Sequence, residues 1–315
     1  MAQPGLEFPH THLLSAAQLQ RNHLDCIFQR SDEYLKQLRL HGPDGFSRDL
    51  NGVVVVLAFI ESSTRTRVSF EVAAKRLGAQ TLNFQAGASS LSKGESLVDT
   101  MFTIEANHPD LIVVRHSAAG TPEFLAGRLR SGIINAGDGR RQHPTQGLLD
   151  AFALRNRIGS LEGVNICLIG DVYHSRVARS NFDILRTMGA NVAACGPGTL
   201  MPDALEALGV RVFHNLDEAL EWADVANVLR IQRERMDAGL LPSLREFQRH
   251  FGINGNHMQQ HPELLVMHPG PVNRGVELSA DVVEHKRSLV LDQVEAGVAI
   301  RMALLALISE ARGLV

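Results

Sequence analysis

Two rhythms of apolar and polar residues run along this chain. In the first, apolar residues follow one another without a break. Val53–Ile60 (VVVVLAFI) is the longest such run and is rich in Val, which predicts a strand buried on both faces, as in a parallel sheet. Apolar stretches at Asp110–Val114, Gly132–Ala136, Val164–Ile169, Asn191–Cys195, Val210–Phe213, Val225–Leu229 and Leu264–Met267 predict further strands, and the more polar Gln80–Phe84 is read as the second strand of the first half. In the second rhythm, apolar residues recur at helical spacing. It predicts helices within Ser15–Gln37, up to Gly78, and at Leu97–Ala106, Gly147–Arg157, Ser175–Met188, Pro202–Leu208, Asp217–Trp222 and Gln293–Ile308. Strands alternating with helices define an α/β chain. The expectation is two doubly wound parallel-sheet domains with helices on both faces, the C-terminal helix returning to the N-terminal domain. The expected boundaries are 1–146 plus 293–315 for the first domain and 147–292 for the second.

The polar residues gather where strands hand over to helices. After Val53–Ile60 come Glu61 and then Ser62-Ser63-Thr64-Arg65-Thr66-Arg67 at a helix start. A helix N-terminus presents free N–H groups and a partial positive charge, so hydroxyls and guanidiniums added there suit an oxyanion, phosphate above all. The plainer alternative is that Ser63 or Thr64 only caps the helix. Five donor side chains in the five residues Ser63–Arg67 favour the anion. Arg115-His116 follows the strand Asp110–Val114, and His143-Pro144-Thr145-Gln146 opens the helix after Gly137-Asp138-Gly139. Helix-start dipoles beside His143 favour its neutral ring, which can still donate one hydrogen bond, although a lone His there can also be a simple cap.

In the second half, Arg176 and Arg230 both fall at carboxyl ends of strands in one predicted sheet. They could grip a dicarboxylate there. Gln232, Arg233 and Arg235 lie just beyond, and His268-Pro269-Gly270-Pro271 closes another strand with its backbone fixed by two prolines. The turn Gly170–Arg176 lacks the G-x-G-x-x-G of dinucleotide sites, and no Walker A loop is present. Neither a nicotinamide nor ATP is therefore expected. The loop Ala86–Ser96 is rich in small polar residues and carries one cation, Lys93, for which solvated surface and function stand level.

Composition narrows the picture. Thirty-one basic and 34 acidic residues give a net charge of −3, which does not call for nucleic acid or an acidic membrane as partner. The three cysteines, Cys26, Cys167 and Cys195, have neither disulfide-framework nor metal-ligand spacing, so a reducing cytoplasm, no metal and no cofactor are expected. No apolar run approaches a membrane span, and the N-terminus lacks signal-peptide patterning. No Ser–His or Cys–His pairing suggests a covalent intermediate.

The segments Glu61–Glu71, Ser90–Thr100, Gly137–Asp150, Gly170–Arg176, Leu229–Arg235, His268–Glu277 and Gln293–Met302 occur in an order that resembles the aspartate carbamoyltransferase family, its catalytic polypeptide. The ornithine-specific sibling places a cysteine in a His-Cys-Leu-Pro motif where this chain has His268-Pro269-Gly270-Pro271. The resemblance implies a carbamoyl-phosphate-binding first domain and an aspartate-binding second one. It implies that Ser63, Thr64, Arg65 and Thr66 hold phosphate, with Ser90 preferred over Ser89 as a further contact. Thr66, Arg115 and His143 would polarise the carbamoyl carbonyl. Gln146 and the carbonyls of Pro269 and Gly270 would accept from its amino group. Arg176, Arg230, Gln232 and Lys93 would bind aspartate. Lys93 would reach a neighbouring subunit's site, making a homotrimer the functional unit. Glu61 would link the domains on closure through Arg176 and Arg235. The resemblance also allows for regulatory or dihydroorotase-like partner chains. The implied reaction is direct amine attack through a tetrahedral intermediate. A non-catalytic anion-binding subunit, and a carbamoyltransferase for another amino acid, are the competing readings.

Overall fold

A computed structural model describes residues 7–40, 45–85, 96–231 and 243–315. The chain divides into two compact units, Met1–Leu149 with Glu295–Val315, and Asp150–Val294.

The first unit contains α1 (Arg21–Leu38), β1 (Val54–Phe59), α2 (Thr64–Arg76), β2 (Gln80–Gln85), α3 (Leu97–Glu105), β3 (Leu111–His116), α4 (Thr121–Ala126), β4 (Gly132–Asp138) and the start of α5 (Pro144–Ile158). Its four strands are parallel in the order β2-β1-β3-β4. The Val-rich run becomes an inner strand because both its faces are covered. Val55, Leu57 and Ala58 are wholly buried, and Val56 and Ala58 pack with Met101, Ile112, Val114 and Ile133. Burial of each Val, Leu, Ile or Met among these is worth about 1.5–3 kcal/mol. The chain runs outward in both directions from β1 and β3, so the switch point of the sheet lies between these two strands.

An N-terminal segment extends this sheet beyond β4. Leu13 donates to Ile133 O (2.9 Å) and accepts from Asn135 N (2.8 Å), while His12 Nδ1 accepts from Ile133 N (3.0 Å). His12 can accept only while Nδ1 is unprotonated. Burial, and then the nearby Arg312, lower its pKa. A base with a depressed folded pKa stabilises above its ordinary pKa of about 6.5 and loses that contribution as pH falls through it. Hydrogen-exchange protection of Ile133 and Asn135 amides, corrected for intrinsic rates, is therefore expected to drop between pH 7.5 and 5.5. Unchanged protection would disprove this role for His12.

The second unit contains the rest of α5, β5 (Asn165–Ile169), α6 (Arg176–Thr187), β6 (Asn191–Cys195), β7 (Arg211–Phe213), α7 (Leu216–Trp222), β8 (Val225–Val228), α8 (Leu244–Phe251), α9 (Gly255–Gln260), β9 (Leu265–Met267), α10 (Ala280–Val283) and the start of α11 (Val290–Ala311). Its parallel sheet has the order β7-β6-β5-β8-β9, with the switch point between β5 and β8. The remainder of α11 belongs to the first unit, where Arg301 bonds Ser69 Oγ (2.8 Å) and Glu310 pairs with Arg30 (2.7 Å).

One predicted helix is corrected. Pro202–Leu208 holds only a 3₁₀ turn at Glu206–Leu208. Leu205 is its single buried apolar side chain between Pro202 and Gly209, too little to anchor an amphipathic helix. Helices α4, α8, α9 and α10 are additions to the expected elements. Leu244, Phe247 and Phe251 recur at helical spacing and bury the two phenylalanines of α8, a signal the sequence carried. Helices α8 and α9 also start at polar caps, Ser243 accepting from Glu246 N and Asn254 from Asn256 N.

Candidate active site

In the first unit the polar residues converge on the carboxyl ends of β1, β3 and β4. Strands β1 and β3 are in register through Phe59 and Arg115, and the N–H groups of Ile60 and Glu61 both bond Arg115 O, at 2.9 and 3.1 Å. This ties the Ser62–Arg67 turn to Arg115. Ser63 is the extended residue before α2, but its side chain makes no helix cap; Ser63 Oγ donates to Thr66 Oγ1 at 3.1 Å. No acidic residue stands in the first turn of α2. The helix therefore begins with its dipole uncompensated by a carboxylate, beside Ser63 and a buried Thr66. Thr64 and Arg65 are on the surface.

Arg115 is held on two sides. One guanidinium nitrogen donates to Ala136 O (3.2 Å) and the other pairs with Glu61 Oε1 (2.9 Å). Glu61 thus pairs with Arg115 within the first unit.

Next to β3, the end of β4 leads to His143 through a loop built on Asp138. This wholly buried carboxylate accepts from Gly120 N (2.7 Å), Asn135 Nδ2 (2.9 Å) and Gln142 N (3.1 Å). Gly139, at φ 48°, passes so close to Ala119 N that a Cβ would lie 2.8 Å away, so only glycine fits there. The loop delivers His143 and Gln146, both buried, to the first turn of α5, where Gln146 N bonds His143 O (2.9 Å). Motif reading from polar strand ends passed over Asp138 and Asn135. An acid between two glycines at the end of an apolar strand was the available signal.

In the second unit the same arrangement recurs at β5, β8 and β9. Leu229 N bonds Ile169 O (2.7 Å), so the segments leading to Arg176 and Arg230 leave the sheet side by side. Asp171 and His174, both wholly buried, organise the first of these: Asp171 Oδ1 accepts from His174 N (3.1 Å) and lies 2.9 Å from His174 Nδ1. Ser175 then caps α6 at Ala178 N, and Arg176, buried, is the first residue of that helix.

Glu277 organises the second. Its carboxylate accepts from Ile231 N (2.7 Å), Asn273 N (2.9 Å) and Asn273 Nδ2 (2.6 Å), pinning the chain beyond Arg230 to the loop after β9. Burial raises its pKa, and those hydrogen bonds oppose the rise. In the same loop Gly270 lies at φ 65° and donates to His268 Nδ1 (2.8 Å). Ser90, Lys93, Gln232 and Arg235 fall outside the described residues. Among the described residues, no group of three or more His, Cys, Asp or Glu side chains could hold a metal ion.

Each unit thus collects cations, hydroxyls or amides at the switch point of a parallel sheet, one of them at an uncapped helix start. These features define a two-domain α/β enzyme for small anionic substrates. Residues 11–156 match the family model of the aspartate/ornithine carbamoyltransferase carbamoyl-P binding domain, and residues 162–308 match that of the Asp/Orn binding domain. The chain belongs to the aspartate/ornithine carbamoyltransferase family. It is 53% identical over 261 residues to the aspartate carbamoyltransferase catalytic subunit of Gemmatimonas aurantiaca, covering 82% of each chain. With that of Maricaulis maris it shares 49% identity over 309 residues, 98% of this chain and 96% of the relative. The aspartate transcarbamoylase of Trypanosoma cruzi in complex with carbamoyl phosphate and aspartate superposes with a TM-score of 0.86 at 30% identity, covering 96% of this chain and 98% of the other.

Proposed function

We infer that this enzyme transfers the carbamoyl group of carbamoyl phosphate to the α-amino group of L-aspartate, giving N-carbamoyl-L-aspartate and phosphate, a step of pyrimidine biosynthesis. The observation that carries the reading is the start of α2, where the Ser63 side chain is not used as a cap and no acid occupies the first turn. That is a phosphate site by its chemistry. Ser63, Thr64, Arg65 and Thr66 hold the phosphate. Thr66, Arg115 and His143 donate to the carbamoyl oxygen. Gln146 and the carbonyls of Pro269 and Gly270 accept from its amino group. Arg176 and Arg230, with Gln232, bind the two carboxylates of aspartate.

The neutral amine attacks the carbamoyl carbon, and a C–N bond forms while the carbonyl π electrons move onto oxygen. Donors already aimed at that oxygen stabilise the oxyanion without reorganising. Collapse breaks the C–O bond to phosphate, and the departing phosphate takes the amine proton. No protein base is needed. The Glu61–Arg115 pair orients the guanidinium, and a domain-closing role for Glu61 toward Arg176 and Arg235 requires it to share or leave that pairing.

A homotrimer with shared sites is the proposed functional unit, placed in the cytoplasm. Support for self-association comes from Val68 and Val72, one turn apart on α2, and Leu82 on the edge strand β2. They are 44%, 37% and 54% exposed, respectively. Lys93 and Ser90 would complete a neighbour's phosphate site, and Lys93 would also reach aspartate. Mixing inactive Arg65→Ala and Lys93→Ala chains and reassembling them is expected to restore up to about a third of a normal site complement, because some sites then contain neither lesion. No recovery would sink the shared-site model. A crystal structure with the bisubstrate analogue N-(phosphonacetyl)-L-aspartate tests the whole reading. Its phosphonate is expected at Ser63–Thr66 and its carboxylates at Arg176 and Arg230. A phosphonate bound elsewhere would refute it.

A further inference from the structure

The loop after β9 is held by a buried polar chain that the proposed reaction does not itself use. His268 N donates to Gln293 Oε1 (3.0 Å), and Gln293 Nε2 donates to Asp150 Oδ1 (2.7 Å). Asp150 Oδ2 accepts from Asn181 Nδ2 of α6 (2.9 Å). His268, Gln293, Asp150 and Asn181 are all buried. The orientation of the Gln293 amide is forced. The His268 N–H can only donate, so the oxygen faces His268 and the nitrogen faces Asp150. Gly270 N then donates to His268 Nδ1 (2.8 Å). Pro269 has no N–H, so both backbone donors flanking it are committed inward. No described residue donates to the carbonyls of Pro269 or Gly270. The loop is therefore clamped through its donors and left with acceptors to offer.

We propose that Gln293 and Asp150 are positioning residues that set the preference of the enzyme for a carbamoyl group over an acyl group, by fixing the Pro269–Gly270 carbonyls where a substrate amino group must donate. This rests on the reading that those carbonyls accept from the carbamoyl amino group. A buried carboxylate is costly unless its hydrogen bonds are met, so this chain anchors the loop rigidly where an apolar contact would only pack against it. Asp150 also lies one helical turn after Gln146 on α5, so one helix carries both a proposed amino-group acceptor and the anchor of the others.

Acetyl phosphate separates the two claims, because a methyl group replaces the amino group and donates nothing. Wild-type enzyme is expected to bind carbamoyl phosphate more tightly than acetyl phosphate in competition assays. Equal binding would overturn the carbonyl-acceptor reading itself, and this proposal with it. Gln293→Met keeps the volume and removes both hydrogen bonds. It is expected to weaken carbamoyl phosphate binding about tenfold, as for loss of one or two hydrogen bonds, while acetyl phosphate and the KM for aspartate change less than about twofold. Equal loss on both phosphates would make Gln293 merely structural, and an unchanged ratio would show that it positions nothing; either result overturns the proposal. Asp150→Asn leaves Gln293 in place but turns one acceptor into a donor. It is expected to shift the ratio the same way, by less. A folded Asp150→Asn enzyme with the wild-type ratio would also overturn the proposal, so the test survives if Gln293→Met does not fold.

Discussion

Replacing Arg65 by alanine is expected to lower kcat/KM for carbamoyl phosphate at least 100-fold, with the melting temperature nearly unchanged. Arg65 stands in the first turn of α2 on the surface, so the core loses nothing when it is truncated. What is lost is a guanidinium whose fork matches two phosphate oxygens, each charge-assisted hydrogen bond being worth about 1.5–3 kcal/mol. Two such bonds amount to about 3–6 kcal/mol, so the loss is at least about 100-fold. Steady-state kinetics with a thermal melt checks this. Near-wild-type turnover would remove the phosphate from α2.

Arg230→Ala is expected to separate the two substrates. The KM for aspartate should rise about 100-fold, whereas binding of carbamoyl phosphate alone should stay within about twofold. The backbone beyond Arg230 is fixed independently by the Glu277 carboxylate at Ile231 N, so truncating the side chain leaves its support standing. Equilibrium binding of carbamoyl phosphate, set beside aspartate kinetics, reads both halves of the expectation. Parallel loss of both ligands would place Arg230 in a structural role instead.

How much of this could be read from the sequence depends on what kind of force sets each feature. Strands were legible because an inner parallel strand must be apolar on both faces. Val53–Ile60 became β1 at Val54–Phe59, and Asn191–Cys195 matched β6. Polar residues at strand ends were legible for the same reason, since they interrupt the apolar runs. Less visible were the groups that work through hydrogen bonds across long sequence distances. Asp138 gathers Gly120 N, and Gln293 reaches Asp150 across 143 positions. No periodicity marks such pairs, because nothing in local spacing tells a buried, satisfied acid from a solvated one. The partner of Glu61 illustrates the same limit. Strand register brings Arg115 beside it, and register is a property of the sheet.

A non-catalytic anion-binding subunit and an enzyme for another amino acid are the two readings that a direct assay separates from the proposed one.

The central claim is tested most directly by the acceptor preference of the purified enzyme. Carbamoyl phosphate is supplied with L-aspartate, L-ornithine or other amino acids, and ureido product and released phosphate are both measured. Carbamoyl-aspartate is expected to form in equal amount with phosphate, and the other amino acids should yield little or no product. Efficient carbamoylation of ornithine, or no ureido product from aspartate, would contradict the account.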